Sequence, residues 1–154
     1  MIYDAVTDID GNHYDAVKIG EQVWMAANLR TTRYANGEVI AEGTNIDTIP
    51  LRYAVPQADN PYYGTLYNWY AVMHGEALSE TRPGSVQGIC PDGWHVPSNA
   101  EWTQLVRYCG GVSEYVCDTL GENVAKHWPR AMDGNHVGLR VCLSVAILTS
   151  SFRS

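Results

Sequence analysis

The chain has 154 residues, a length that suits one domain with a core of its own. Its hydrophobic share of 45% and charged share of 18% are globular values. A formal net charge of −7 argues against nucleic acid as a partner, because phosphates demand a basic face.

The first third reads as β-structure. Val6 to Ile9 leads into Asp10-Gly11-Asn12, a hairpin turn, and the chain returns through Tyr14 to Ile19 with alternation at Val17 and Ile19. Gly20-Glu21 turns again, and Gln22 to Met25 makes a third short strand. Asp8-Ile9-Asp10-Gly11-Asn12 is also carboxylate-rich, but the twelfth position counted from Asp8 is Ile19, where a calcium loop needs Glu. A turn is therefore expected there, not a metal site.

Met25 to Arg30 leaves the strand in a short turn, and Tyr34 to Ile40 carries a second hairpin signal at Asn36-Gly37. Ala41 to Asn60 is polar, contains Pro50 and Pro56, and reads as a long surface loop. The segment from Tyr62 to Val72 is the densest in aromatics. Leu66, Trp69, Tyr70 and Met73 fit one helical face, so a short helix is favoured over a strand. An aromatic stripe at helical spacing is expected to pack into the core beside Trp94 and Trp102. The alternative is a surface that stacks sugars or bases, since five Trp and ten Tyr against one Phe supply rings with polar handles.

Glu76 to Gly88 is a second polar connection, and the sequence from Cys90 to Trp102 then opens a helix. Val96-Pro97 must be extended, Ser98 is an N-cap, and Glu101 three residues on completes a capping box. Trp102, Leu105, Val106 and Cys109 follow at helical spacing until Gly110-Gly111. Val112 to Val124 is a further helix candidate. Lys126 to Asn135 is irregular, and Val137 to Leu148 reads as one or two buried strands.

Cys, His, Asp and Glu gather at the helix start, yet no nucleophile, base and oxyanion donor can be named. His95 could act as a base with Glu101 or Asp92. The expected role is a ring bridging buried backbone groups at the corner. Cys90 is expected to be a disulfide or a buried thiol, and Asp92 a turn residue. No Cys-x-x-Cys pair occurs among the four cysteines at 90, 109, 117 and 142, and no zincin, nucleophile-elbow or phosphate-loop pattern is present. Metal ligands are therefore not assigned. No apolar run approaches the ~20 residues of a membrane span. No basic and apolar leader follows Met1, so either the chain is cytosolic or a leader has been removed.

Four blocks, in order, carry a resemblance. They are Thr7 to Asn12, Val17 to Leu29, Tyr63 to Val72, and Gly88 to Ser98 with Glu101-Trp102. Together they resemble the Fibrobacter succinogenes major paralogous domain family over about residues 5 to 109. The resemblance implies a single α+β domain, residues 1–154, of C-type-lectin-like fold related to formylglycine-generating enzymes. That fold has a small twisted antiparallel sheet, two helices and long loops that carry the binding face. It further implies a bacterial cell-surface or secreted module, often on lipoproteins. The function expected is a non-enzymatic binding or adhesion domain for a glycan or a surface protein. The alternatives are an oxidase of the formylglycine-generating type and a purely structural module.

On this reading Tyr53, Tyr62, Tyr63, Tyr67, Trp69 and Trp94 are the candidate ligand-binding residues. Cys90, Trp94, His95, Pro97, Ser98, Glu101 and Trp102 form the scaffold motif. The sugar-binding and calcium motifs of true C-type lectins are not found, so no cofactor is assigned. Nor do the catalytic cysteines of the oxidases have a match. Export would make Cys109–Cys117 or Cys90–Cys142 disulfides. The resemblance also implies middle blocks after the helix that are missing here, and Gly138 to Cys142 matches the closing strand only loosely. The chain is then a short variant or a truncated or frame-shifted product. In the latter case, exposed C-terminal strands would promote oligomers.

Overall fold

A computed structural model of the chain describes residues 1–44, 48–54 and 64–108. The expected helix at Val112 to Val124, the strands at Val137 to Leu148, and Tyr62, Tyr63, Cys109, Cys117 and Cys142 lie outside the described residues. Among the described residues the architecture is α+β, with two small three-stranded sheets and two helices.

The first sheet is an antiparallel meander of β1 (Ile2–Thr7), β2 (His13–Ile19) and β3 (Gln22–Met25). The expected turn between the first two strands is built around one carboxylate. Asp8 Oδ1 accepts from the backbone N–H of Asp10 (3.0 Å) and Asn12 (2.9 Å), while Asp8 Oδ2 accepts from the Asn12 amide (2.9 Å) and the Tyr14 hydroxyl (2.6 Å). Gly11 occupies the left-handed position that the turn requires, at φ 80°. β1 begins at Ile2, four residues before the expected start, and its register shifts between Ile2 and Val6 around Asp4, whose φ is 51°.

This sheet is a middle layer, covered on both faces. β3 is buried at all four positions, with Val23 and Met25 in the main core and Trp24 in a second cluster. On β2, Tyr14 and Ala16 face the main core, whereas Val17 and Ile19 pack with Trp24, Trp102 and Leu105. The alternation expected at Val17 and Ile19 is therefore real, but it marks the face under the second helix rather than the principal core. The Trp24 and Trp102 rings meet at 5.1 Å between centroids, tilted by 50°.

The second sheet contains β4 (Ala41–Glu42), β5 (Leu51–Tyr53) and β6 (Leu66–Tyr67), with β4 parallel and β6 antiparallel to β5. It corrects two expectations. The stretch read as one long loop contributes β4 and β5, and the aromatic segment is not one helix but a short strand followed by α1 (Trp69–Met73). Asn68 makes the division. Its side-chain oxygen accepts from the Ala71 N–H (2.9 Å) as an N-cap and from the Leu51 N–H (3.1 Å), and its amide donates to the Ile49 carbonyl (2.7 Å). One residue thus caps α1 and ties it to β5. The expected hairpin at Asn36-Gly37 reduces to a tight turn closed by a single bridge between Arg33 and Val39.

The second helix, α2 (Asn99–Tyr108), begins where expected. Ser98 and Glu101 form the capping box in both directions, Glu101 N–H to Ser98 Oγ at 3.3 Å and Ser98 N–H to Glu101 Oε2 at 2.9 Å. Gln22 docks the helix on the first sheet by donating to the Glu101 carbonyl at 3.1 Å. Among the described residues, no helix is long and apolar enough to cross a membrane.

Candidate functional site: an aromatic face beside a polar pocket

Three groupings of chemistry-bearing side chains stand out, and two of them are consumed by the scaffold. At the start of α2, the Glu101 carboxylate is 1% exposed and accepts from His95 Nε2 (3.0 and 3.1 Å), Ser98 N–H and Gly84 N–H (3.1 Å). Burial alone would raise this carboxyl, but the hydrogen bonds from His95, Ser98 and Gly84 outweigh it and hold the group below its ordinary range. His95 therefore pairs with a carboxylate rather than bridging backbone groups, which corrects the sequence expectation. The reason is local: extended Val96-Pro97 and the first helical turn bring position 101 back beside position 95. Trp94 and Cys90 are buried in the main core, Pro97 is half-buried, and Trp102 packs on Trp24. Cys90 is a free thiol whose burial pushes its pKa well above the ordinary value.

The second grouping surrounds the first hairpin. Asp10 accepts from Thr31 Oγ1 (3.2 Å), Thr32 N–H and Oγ1 (2.8 Å), and Arg33 Nε (2.7 Å). Partial burial raises the Asp10 carboxyl, but these donors prevail and bring it down to about 2. Tyr14 is raised by burial and by its bond to Asp8, while Arg30 lies over its ring at 4.9 Å. With their lone pairs already engaged, Asp8 ties the hairpin to itself and Asp10 ties it to residues 31–33. Among the described residues, no group of three or more His, Cys, Asp or Glu side chains is placed to hold a metal ion.

The third grouping is at the surface, on the second sheet and α1. Leu66 (57% exposed), Trp69 (55%) and Tyr70 (46%) present their side chains to solvent, with Ile49 exposed nearby on the segment that Asn68 holds. The aromatic stripe therefore does not pack into the core as expected; of its four positions only Met73 is buried. Tyr53 is half-buried and lies directly across from Leu66 in the β5–β6 pair. Tyr67 is half-buried too and acts as a strut, its hydroxyl donating to the Thr31 carbonyl at 2.7 Å, with burial raising its pKa. Of the six candidate binding residues, the structure gathers Tyr53, Tyr67 and Trp69 at one junction and puts Trp94 in the core.

At the C-terminal end of α1 lies a polar pocket lined by Ala35, Asn36, His74, Glu76, Gln87 and Gly88. His74 follows the helix at φ 49°, and its ring stacks on Tyr34 at 3.6 Å with 14° between planes. Its Nε2 lies 3.0 Å from Glu38 Oε2. Burial, then the Glu38 carboxylate, pushes Tyr34 up to about 12. Sequence reasoning assigned none of these residues to a site, because they come from segments that lie apart along the chain.

No curated protein and no solved structure matches the chain. A family model, the Fibrobacter succinogenes major domain, matches residues 17–138, a span that takes in β3, the second sheet, the aromatic face and the Ser98–Glu101 corner. The chain belongs to that family.

Proposed function

We propose that this is a non-enzymatic binding or adhesion domain of a bacterial cell surface or of a secreted protein, and that it recognises a glycan through the aromatic face on α1. We infer a C-type-lectin-like scaffold beneath it, on the meander, the two helices and the capped corner that precedes the second. The observation that carries the functional reading is the exposure of Trp69 and Tyr70 on a helix clamped to β5 by Asn68. Exposed rings on a rigid element offer stacking area at low entropic cost. Cys90 is buried and the Glu101 carboxylate is engaged, so neither of these two groups is free to meet a substrate.

A glycan array with a calcium titration tests the proposal, using the wild-type chain and a Trp69→Ala/Tyr70→Ala variant. Binding is expected in the wild type without added calcium and is expected to be lost in the variant, with its melting temperature preserved. Equal binding by both proteins would place the site elsewhere. A protein ligand retained by the same two rings, with no glycan bound, would replace the glycan reading. The absence of any ligand would favour the structural-module alternative.

A further inference from the structure

We propose that the pocket beside His74 is a subsite for one neutral, hydroxyl-rich sugar unit. This rests on the glycan reading and names the ligand class. The pocket holds about 130 Å³, below the ~300 Å³ at which sites for drug-sized ligands begin. It suits a single ring unit rather than a whole oligosaccharide.

Its lining is chemically matched to hydroxyl groups, each of which both donates and accepts. Asn36 and Gln87 bring amides, Glu76 a carboxylate and His74 an imidazole. Two of these groups are held in place by the protein. The Gln87 amide nitrogen donates to the Cys90 carbonyl and to Asp92 Oδ1, both at 3.2 Å. The His74 ring is fixed by the Tyr34 stack and the Glu38 carboxylate, and Tyr34 is itself fixed by donating to the Ala71 carbonyl at 3.1 Å. Such prior fixing lowers the entropic cost of binding.

Position 88 is restricted to glycine, because a Cβ there, at φ 53°, would overlap the Val72 carbonyl oxygen. His74 sits in the left-handed region as the C-cap of α1, its backbone N–H donating to the Tyr70 carbonyl. Charge then selects the ligand. Glu38, Glu76 and Asp92 surround the pocket, and the imidazole is already engaged by Glu38. Uronates and other anionic sugars meet like charge there, while neutral sugars do not.

The test is an NMR titration of the full chain with methyl hexosides as neutral probes and a methyl hexuronide as the anionic probe. Neutral probes are expected to give saturable shifts at the His74 ring and the Gln87 side-chain amide, with the hexuronide several-fold weaker. Glu76→Gln is expected to narrow that gap. His74→Gly, which suits the left-handed backbone, is expected to weaken neutral-sugar binding at least tenfold; if it lowers the melting temperature, Gln87→Ala provides the same readout. Shifts at Trp69 and Tyr70 with none at His74 or Gln87 would overturn the subsite and leave the aromatic-face reading standing. A hexuronide bound as tightly as the hexosides would overturn the charge selection. No shift at any of these residues would overturn both readings.

Discussion

Glu101 carries more of the corner than any neighbouring side chain, because its carboxylate satisfies three donors, two of them buried. Glu101→Ala strands the His95 ring and two backbone N–H groups, and is expected to cost about 3–5 kcal/mol in urea unfolding. The pH dependence follows from the same contacts. Glu101 is held below its ordinary 4.5, and Asp10 is brought from 3.8 to about 2. A carboxyl lowered on folding contributes stability that is complete above its unfolded value and is lost as pH falls through the folded one. Unfolding free energy is therefore expected to hold at neutral pH and to fall below about pH 4.5, with Asp10 extending the loss toward pH 2. Denaturation of Glu101→Gln between pH 3 and 7 is expected to show a flatter acid limb. Cys90 offers a separate check. Buried and with its pKa raised, it should resist iodoacetamide in the native protein and react only in denaturant, as read by peptide mass.

At the scale of elements, two helices start on side-chain caps, and only one cap was read correctly in sequence. Ser98 announces itself because a proline precedes it and Glu101 follows at the reciprocal position. Ser98→Ala is expected to cost about 1–2 kcal/mol by thermal or urea unfolding, because the hydroxyl is buried and Glu101 N–H loses its side-chain acceptor. Asn68 was passed over because Leu66, Trp69, Tyr70 and Met73 satisfy a helical period across it. The cap cuts that period after Tyr67, and the residues before it pair with β5 as a strand. Once the helix starts at Trp69 and is only five residues long, it has a single inner face, which Ala71 and Met73 fill. Trp69 and Tyr70 are left outside.

For the whole molecule, the decisive feature is a three-stranded sheet with a core on each side. The cluster beneath α2 is small, and Leu105 is one of its two fully buried members. Leu105→Ala is expected to cost about 3 kcal/mol, measured by chemical unfolding, with the Trp24–Trp102 contact loosened. If α2 were merely decorative, the loss would be nearer that of a surface change, within ~0.5 kcal/mol.

The amino-acid sequence by itself determined the local structure: the Asp8–Asn12 turn, the two strands after it and the capped start of α2. Each depends on residues close along the chain, where turn glycines, caps and period-two alternation act directly on the backbone. Tertiary structure alone decided that both faces of the first sheet are covered, with Tyr14 in the main core and Val17 beneath α2. It also decided that Trp94 is core while Trp69 is surface. Two rings of the same chemistry are separated by what packs over them, and that depends on residues far apart in sequence. The pocket at His74 is of the same kind, since Asn36, His74 and Gln87 come from three separate segments that only the folded chain brings together.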